Sequence, residues 1–155
     1  GEYKANNAQE VSEMWEQVKL KEKGGNKTVL AGIPESLPAL VKAYRIQDKV
    51  ANVGFDWEKR EDVWAKVKEE IAEFEVEVDH MDEAKATEEM GDLIFALVNA
   101  ARLYNIRPDN ALEKTNAKFI KRFNYIEQKA KEKGQSLNEM TLDEMEALWQ
   151  EAKKA

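Results

Sequence analysis

Between Glu83 and Tyr104 the sequence reads EAKATEEMGDLIFALVNAARLY, and this stretch decides the fold. From Leu93 to Val98, and again at Ala100 and Ala101, it is apolar on nearly every side of a helix. It lacks the alternation of a half-buried strand. Such a helix is expected to be buried on most of its surface. A chain of 155 residues rarely surrounds one helix completely, so a second subunit is expected to complete the core. Asp92 and Asn99 interrupt the run on a single stripe, because seven positions make almost two whole turns.

Working outward, the short connection His80-Met81-Asp82 joins this helix to a preceding one predicted from about Glu58 to Asp79. So short a join sets the two helices antiparallel, side by side. Upstream, a first helix is predicted from Asn7 to Lys23, with Val11, Met14, Trp15 and Val18 on one side and a stop at Gly24-Gly25. Ser36 reads as the N-cap of a second, carrying Leu37, Leu40, Val41, Tyr44 and Ile46, which Gly54-Phe55-Asp56-Trp57 breaks. Downstream, Pro108 suits the first turn of a helix reaching about Lys131 and ending at Gly134. Thr141 caps a last short helix ending in Leu148 and Trp149. No segment reads as a strand, and the expected architecture is an all-α helical bundle.

Composition narrows the function classes. A formal net charge of −7 and a pI near 5.0 argue against a protein that grips nucleic-acid phosphates directly. A polyphosphate held through bridging cations is not excluded. No cysteine occurs, which removes disulfides, thiolate catalysis and thiolate metal ligation. With no apolar run of membrane-spanning length, no membrane association is expected, and a cytoplasmic protein is the default.

The candidate chemistry sits on the helical hairpin. Glu70 and Glu73 are spaced i, i+3 on its first helix, with Glu69 beside them, and Glu89 and Asp92 repeat that spacing on the second. Both pairs lie at comparable distances from the connection, so antiparallel packing brings them level. Four convergent carboxylates repel unless a cation neutralises them. Oxygen-only ligands select a hard ion, Mg²⁺ or Mn²⁺. Such an ion binds phosphate oxygens and activates water for attack on phosphorus. Glutamates are also common on solvated helix faces, and spacing alone leaves that alternative open.

Basic residues share these stripes. Lys66 precedes Glu69 and Glu70 by three and four positions, and Lys85 precedes Glu89 by four. Ordinary intrahelical ion pairs and phosphate contacts are both compatible with this spacing. Lys118 and Arg122 form a basic face opposite Phe119 and Phe123, suited either to solvent or to a triphosphate tail.

At these residues the sequence resembles the MazG-type nucleoside triphosphate pyrophosphohydrolases. Glu69-Glu70-x-x-Glu73 followed by Glu89-x-x-Asp92 looks like their signature. The likeness extends to Gly32-Ile33-Pro34-x-Ser36-Leu37-Pro38-Ala39-Leu40, Val53-Gly54-Phe55-Asp56-Trp57, Gly91 through Asn99, Thr115-Asn116-x-Lys118-Phe119-x-x-Arg122-Phe123 and Met145-x-x-Leu148-Trp149. The resemblance implies the all-α NTP-pyrophosphatase fold, assembled as a homodimer. It implies Mg²⁺-dependent cleavage of an NTP between the α- and β-phosphates, giving NMP and pyrophosphate. Glu70, Glu73, Glu89 and Asp92 would be the metal ligands. Lys66, Lys85, Lys118 and Arg122 would contact phosphates, Trp149 the nucleotide, and Asn99 is taken as a further substrate contact. Glu69 is the candidate for orienting or deprotonating the water. Residues 1–57 are expected to be a helical connecting segment and 58–155 the catalytic domain. Long family members carry two MazG-like halves. This chain resembles the second, so a longer parent sequence with a preceding domain is expected.

Two other classes share parts of this pattern. Glu77-x-x-His80 has the spacing of a di-iron bundle motif, but His80 is the only histidine and that site needs the motif twice. A non-catalytic helical dimerisation module explains the apolar helix but gives no reason for Asp92 and Asn99 within it.

Overall fold

The computed structural model describes residues 8–22 and 27–155. Six α-helices follow in order: α1 (Ala8–Glu22), α2 (Ala39–Ala51), α3 (Val63–Asp79), α4 (Glu83–Leu103), α5 (Pro108–Glu132) and α6 (Leu142–Lys154). Short 3₁₀ turns occur at Arg60–Asp62 and Leu137–Glu139. No strand occurs among the described residues, and the fold is all-α. No helix among them is long and apolar enough to cross a membrane. The Gly24-Gly25 stop and the outer ends expected for the first helix lie outside the described residues.

Residues 1–108 and 109–155 form two compact units. In the first, α3 and α4 make the antiparallel hairpin and α2 packs on α4. Its core is built from small side chains, Val63, Val67, Ala96 and Ala100, with Leu93, Leu103 and Tyr104 against them. Small residues let the two helix axes approach closely along the hairpin. The Asp82 carboxylate accepts the Lys85 backbone N–H (3.1 Å) and caps α4, which fixes where the hairpin turns back. α1 is tied to α2 by a Gln9 amide donated to the Ala51 carbonyl (3.2 Å) and by the Lys49–Glu16 ion pair (3.2 Å).

α4 carries three stripes, which accounts for its nearly continuous apolar sequence. Leu93, Ala96, Ala100 and Leu103 face the core. Asp92, Phe95, Asn99 and Arg102 face a cavity. Met90, Ile94 and Leu97 remain exposed, the last two at 46% each. The expectation of burial on most sides is therefore not met within one chain, because nothing among the described residues covers the third stripe.

Three local expectations need correction. α2 begins at Ala39 with Pro38 at the cap position, not after Ser36. A proline disfavours helical backbone in the residue before it, so Leu37 stays outside the helix. Next, α3 begins at Val63 after a 3₁₀ turn, because Lys59 is extended (φ −118°, ψ 122°) and interrupts any helix started at Glu58. The last helix runs beyond Trp149 to Lys154. Its cap is as expected, with the Thr141 hydroxyl accepting the Glu144 N–H (3.1 Å).

In the second unit, Ile126, Ala130, Met140 and Leu148 form the core, flanked by Phe123, Leu137, Met145 and Trp149. Gly134 ends the α5 region with φ +65°, a conformation that suits glycine where the chain turns out of a helix.

Candidate metal centre

Glu70 lies on the inner side of α3 and is 5% exposed. Its neighbours Val67 and Val63, one and two turns earlier, are core residues, and the same stripe carries the carboxylate inward. Glu73 follows one turn later, and Glu89 comes from α4. One carboxylate oxygen from each of Glu70, Glu73 and Glu89 lies within 4.8 Å of the others. The hairpin thus brings together three of the four acidic residues that spacing singled out. Asp92 stands outside that trio. It is exposed, one turn after Glu89, and lines the cavity beside Glu70 and Asn99.

The electrostatics of the trio are those of a set short of positive charge. Lys66 binds one Glu70 oxygen at 2.9 Å and reaches Glu69 at 3.6 Å, and its own pKa is raised by the hydrogen bond to Glu70. The second oxygens of Glu70 and Glu89 are buried and have no hydrogen-bond partner. Glu73 is pushed up to about 7, chiefly by the charge of Glu70, then by desolvation and by Glu89. A buried carboxylate oxygen without a donor is costly. A bare cation needs less room than a water molecule, and it satisfies oxygens that water cannot reach. The donor set of oxygens is the kind hard divalent ions take. The cluster is therefore consistent with a divalent metal.

A cavity of about 740 Å³ opens beside the cluster. Lys66, Glu70 and Asp92 stand on its wall, as do Asn99, Arg102 and the aromatic residues Phe55, Trp57 and Phe95. Asn99 and Asp92 share the cavity stripe of α4, as the sequence indicated. Lys85 is exposed and makes no ion pair among the described residues, while Glu69 is exposed beside Lys66. Lys118, Arg122 and Trp149 belong to residues 109–155. There the Arg122 guanidinium lies over the Trp149 ring (5.6 Å) and Phe119 packs against it (5.1 Å), while Lys118 is exposed.

Two functional candidates escaped sequence reasoning. Asp56 and Arg102 form a two-point ion pair on the cavity wall, with N–O distances of 2.6 and 3.3 Å. The signal for Arg102 was its i+3 position after Asn99; Asp56 was visible only as a polar residue between two aromatics.

The fold and the site define a class: an all-α protein whose helical hairpin gathers a carboxylate centre suited to a divalent ion. Residues 58–126 match the family model of the MazG nucleotide pyrophosphohydrolase domain. It is 43% identical over 154 residues to the nucleoside triphosphate pyrophosphohydrolase of Escherichia coli K12, covering 97% of this chain and 59% of that protein. It is 38% identical over 140 residues to the nucleoside triphosphate pyrophosphohydrolase/pyrophosphatase MazG of Thermotoga maritima, covering 90% of this chain and 54% of that one. It is also 47% identical over 144 residues to the uncharacterized protein YabN of Bacillus subtilis, of which it spans 29%. The chain thus spans little more than half of the two named hydrolases.

Proposed function

We propose that this chain hydrolyses nucleoside triphosphates to the monophosphate and pyrophosphate, with Mg²⁺ held by Glu70, Glu73, Glu89 and Asp92, and with Mn²⁺ able to substitute. The observation that carries this reading is the convergence of three carboxylates with a single lysine, Lys66, paired to Glu70, and with buried, unpartnered oxygens on Glu70 and Glu89. The names of the Escherichia coli and Thermotoga maritima relatives support the same reaction. Bound there, Mg²⁺ supplies charge neutralisation at the phosphate oxygens and a more acidic water.

The chain's own residues do the rest. Lys66, already anchored to Glu70, presents its ammonium to a phosphate at the edge of the cluster. Lys85 is assigned a phosphate contact on the rim. Lys118 and Arg122 are assigned to phosphates and Trp149 to the nucleotide, as the motif resemblance implies, with Asn99 as a further substrate contact. Glu69, exposed beside Glu70, orients the attacking water and takes its proton. The water oxygen bonds to the α-phosphorus, and the bond from that phosphorus to the α,β-bridging oxygen breaks. Pyrophosphate leaves with the electron pair. We assign residues 58–155 as the catalytic domain and 1–57 as the segment leading into it, and place the reaction in the cytoplasm, where NTP and Mg²⁺ occur together.

The exposed stripe Met90, Ile94 and Leu97 supports a homodimer in which a second copy covers α4. Sedimentation velocity of the chain decides this, and a monomer at micromolar concentration contradicts it. For the reaction, chromatography of an ATP digest with Mg²⁺ is the test. AMP and pyrophosphate are expected in equal amounts. Accumulating ADP overturns the assigned bond, and no turnover leaves the helical dimerisation module.

A further inference from the structure

Asn99 is half-buried on the cavity stripe of α4, and its amide has two faces of opposite chemistry. Arg102, one turn later, donates its Nε–H to the Asn99 Oδ1 at 3.0 Å. An arginine only donates and is never deprotonated at working pH, so the amide oxygen must face it and the NH₂ must point elsewhere. Among the described residues that NH₂ has no protein partner. Arg102 is in turn fixed. Its two terminal nitrogens grip the Asp56 carboxylate, and its side chain is only 10% exposed. The same Asp56 Oδ1 accepts the Trp57 backbone N–H at 2.8 Å, which fastens the carboxylate to its loop.

We propose that Asp56 and Arg102 are positioning residues that hold Asn99 as a pure hydrogen-bond donor toward the nucleoside half of the substrate. This rests on the hydrolase reading given above. Three features place the nucleoside, rather than the phosphates, at Asn99. Asn99 lies seven positions beyond Asp92, about 10 Å along the helix at ~1.5 Å per residue, which is the span from a metal-bound phosphate to the sugar and base. The cavity wall at that end is aromatic, with Phe55, Trp57 and Phe95 all substantially exposed and able to stack against a base. Among the described residues no cationic nitrogen is left free there, because the guanidinium of Arg102 is spent on Asp56 and Asn99.

The consequence is a polarity rule. An NH₂ locked outward accepts partners that are oxygens or ring nitrogens with lone pairs, such as a sugar hydroxyl or a base carbonyl. It rejects a group that offers only a donor. A free asparagine could turn over and serve either; this one cannot while Arg102 holds its oxygen.

The test compares ATP with inorganic tripolyphosphate, which keeps the phosphates and lacks the nucleoside. Affinity for both is measured with Mg²⁺, ATP by KM and tripolyphosphate by its inhibition constant against ATP hydrolysis. Asn99→Ala, Asp56→Asn and the double variant are each expected to raise KM for ATP by roughly ten-fold, the loss of one oriented hydrogen bond. The double variant should be no worse than either single one, because both remove the same contact. Tripolyphosphate inhibition and kcat should stay within about two-fold. Arg102→Lys, which keeps the charge but cannot grip both partners, should behave like Asp56→Asn. If the two single effects multiply in the double variant, or if tripolyphosphate binding falls as far as ATP binding, the proposal is overturned. Thermal unfolding of each variant separates a misfolded chain from a misplaced amide, and Arg102→Lys provides the second route if Asp56→Asn does not fold. If the unaltered chain turns over no ATP at all, the hydrolase reading fails instead.

Discussion

Two sets of helical glutamates behave oppositely. On α5 and α6, Glu132 pairs with Lys129 (3.4 Å), Glu151 accepts the Tyr125 hydroxyl (3.1 Å) and Glu144 accepts the Gln135 amide (3.3 Å). Each has a donor of its own and an open path to water. In the α3–α4 hairpin, Glu70, Glu73 and Glu89 face one another, with Lys66 as the cation that pairs with any of them. The difference lies in what the helices pack against. On α5 and α6 these carboxylates sit at exposed positions, whereas the α3–α4 hairpin with its small-residue core points two acidic faces at each other. Acidic glutamates on a helix therefore do not by themselves mark a site; convergence with fewer donors than carboxylates does.

The largest effect expected from breaking this contrast is on turnover. Glu73→Gln, Glu89→Gln or Asp92→Asn should fold normally by circular dichroism yet lose at least about 100-fold in activity. Even partners outside the ligand set typically cost 10–100-fold. Near-normal turnover in all three would dissolve the distinction between the two glutamate sets.

The next effect is on stability in the absence of metal. Glu73 is raised from 4.5 to about 7 in the folded chain. Below pH 4.5 it is protonated in both states, so its contribution is fully present. As pH rises through 7 the folded state must give up a proton it holds more tightly than the unfolded state does, and that stability is lost. Thermal unfolding in EDTA should therefore show wild type falling relative to Glu73→Gln between about pH 4.5 and 7. A constant difference across that range would mean that Glu73 feels no convergent charge. The smallest effect belongs to the other set. Glu132→Gln removes an exposed pair and should change stability by no more than about 0.5 kcal/mol in denaturant titrations. A larger loss would show that those carboxylates are not simply solvated.

Much of this was legible in the sequence. The short His80-Met81-Asp82 join, the apolar run after Asp92 and the paired acidic spacings were enough for the hairpin and for the convergence of Glu70, Glu73 and Glu89. Local chemistry also located the Thr141 cap and Pro108 in the first turn of α5. Pro38 overrode Ser36 as the start of α2 because a steric rule outweighs a capping preference. The Asp56–Arg102 pair was not legible, since it depends on a loop meeting α4 across a separation of 46 residues. No periodicity encodes such a meeting. The apolar run did indicate that so small a chain would not surround α4 completely, but not which of its stripes stays exposed.

The central claim is that the hairpin carboxylates hold a divalent cation. Titrating the metal-free chain with Mn²⁺, and following the free-ion signal by electron paramagnetic resonance, tests it most directly. Wild type should take up Mn²⁺ more tightly at pH 8 than at pH 6, because the ion displaces the proton that Glu73 holds with a pKa of about 7. Glu89→Gln should lose that uptake. Equal Mn²⁺ binding by wild type and Glu89→Gln, or none by either, would contradict the account.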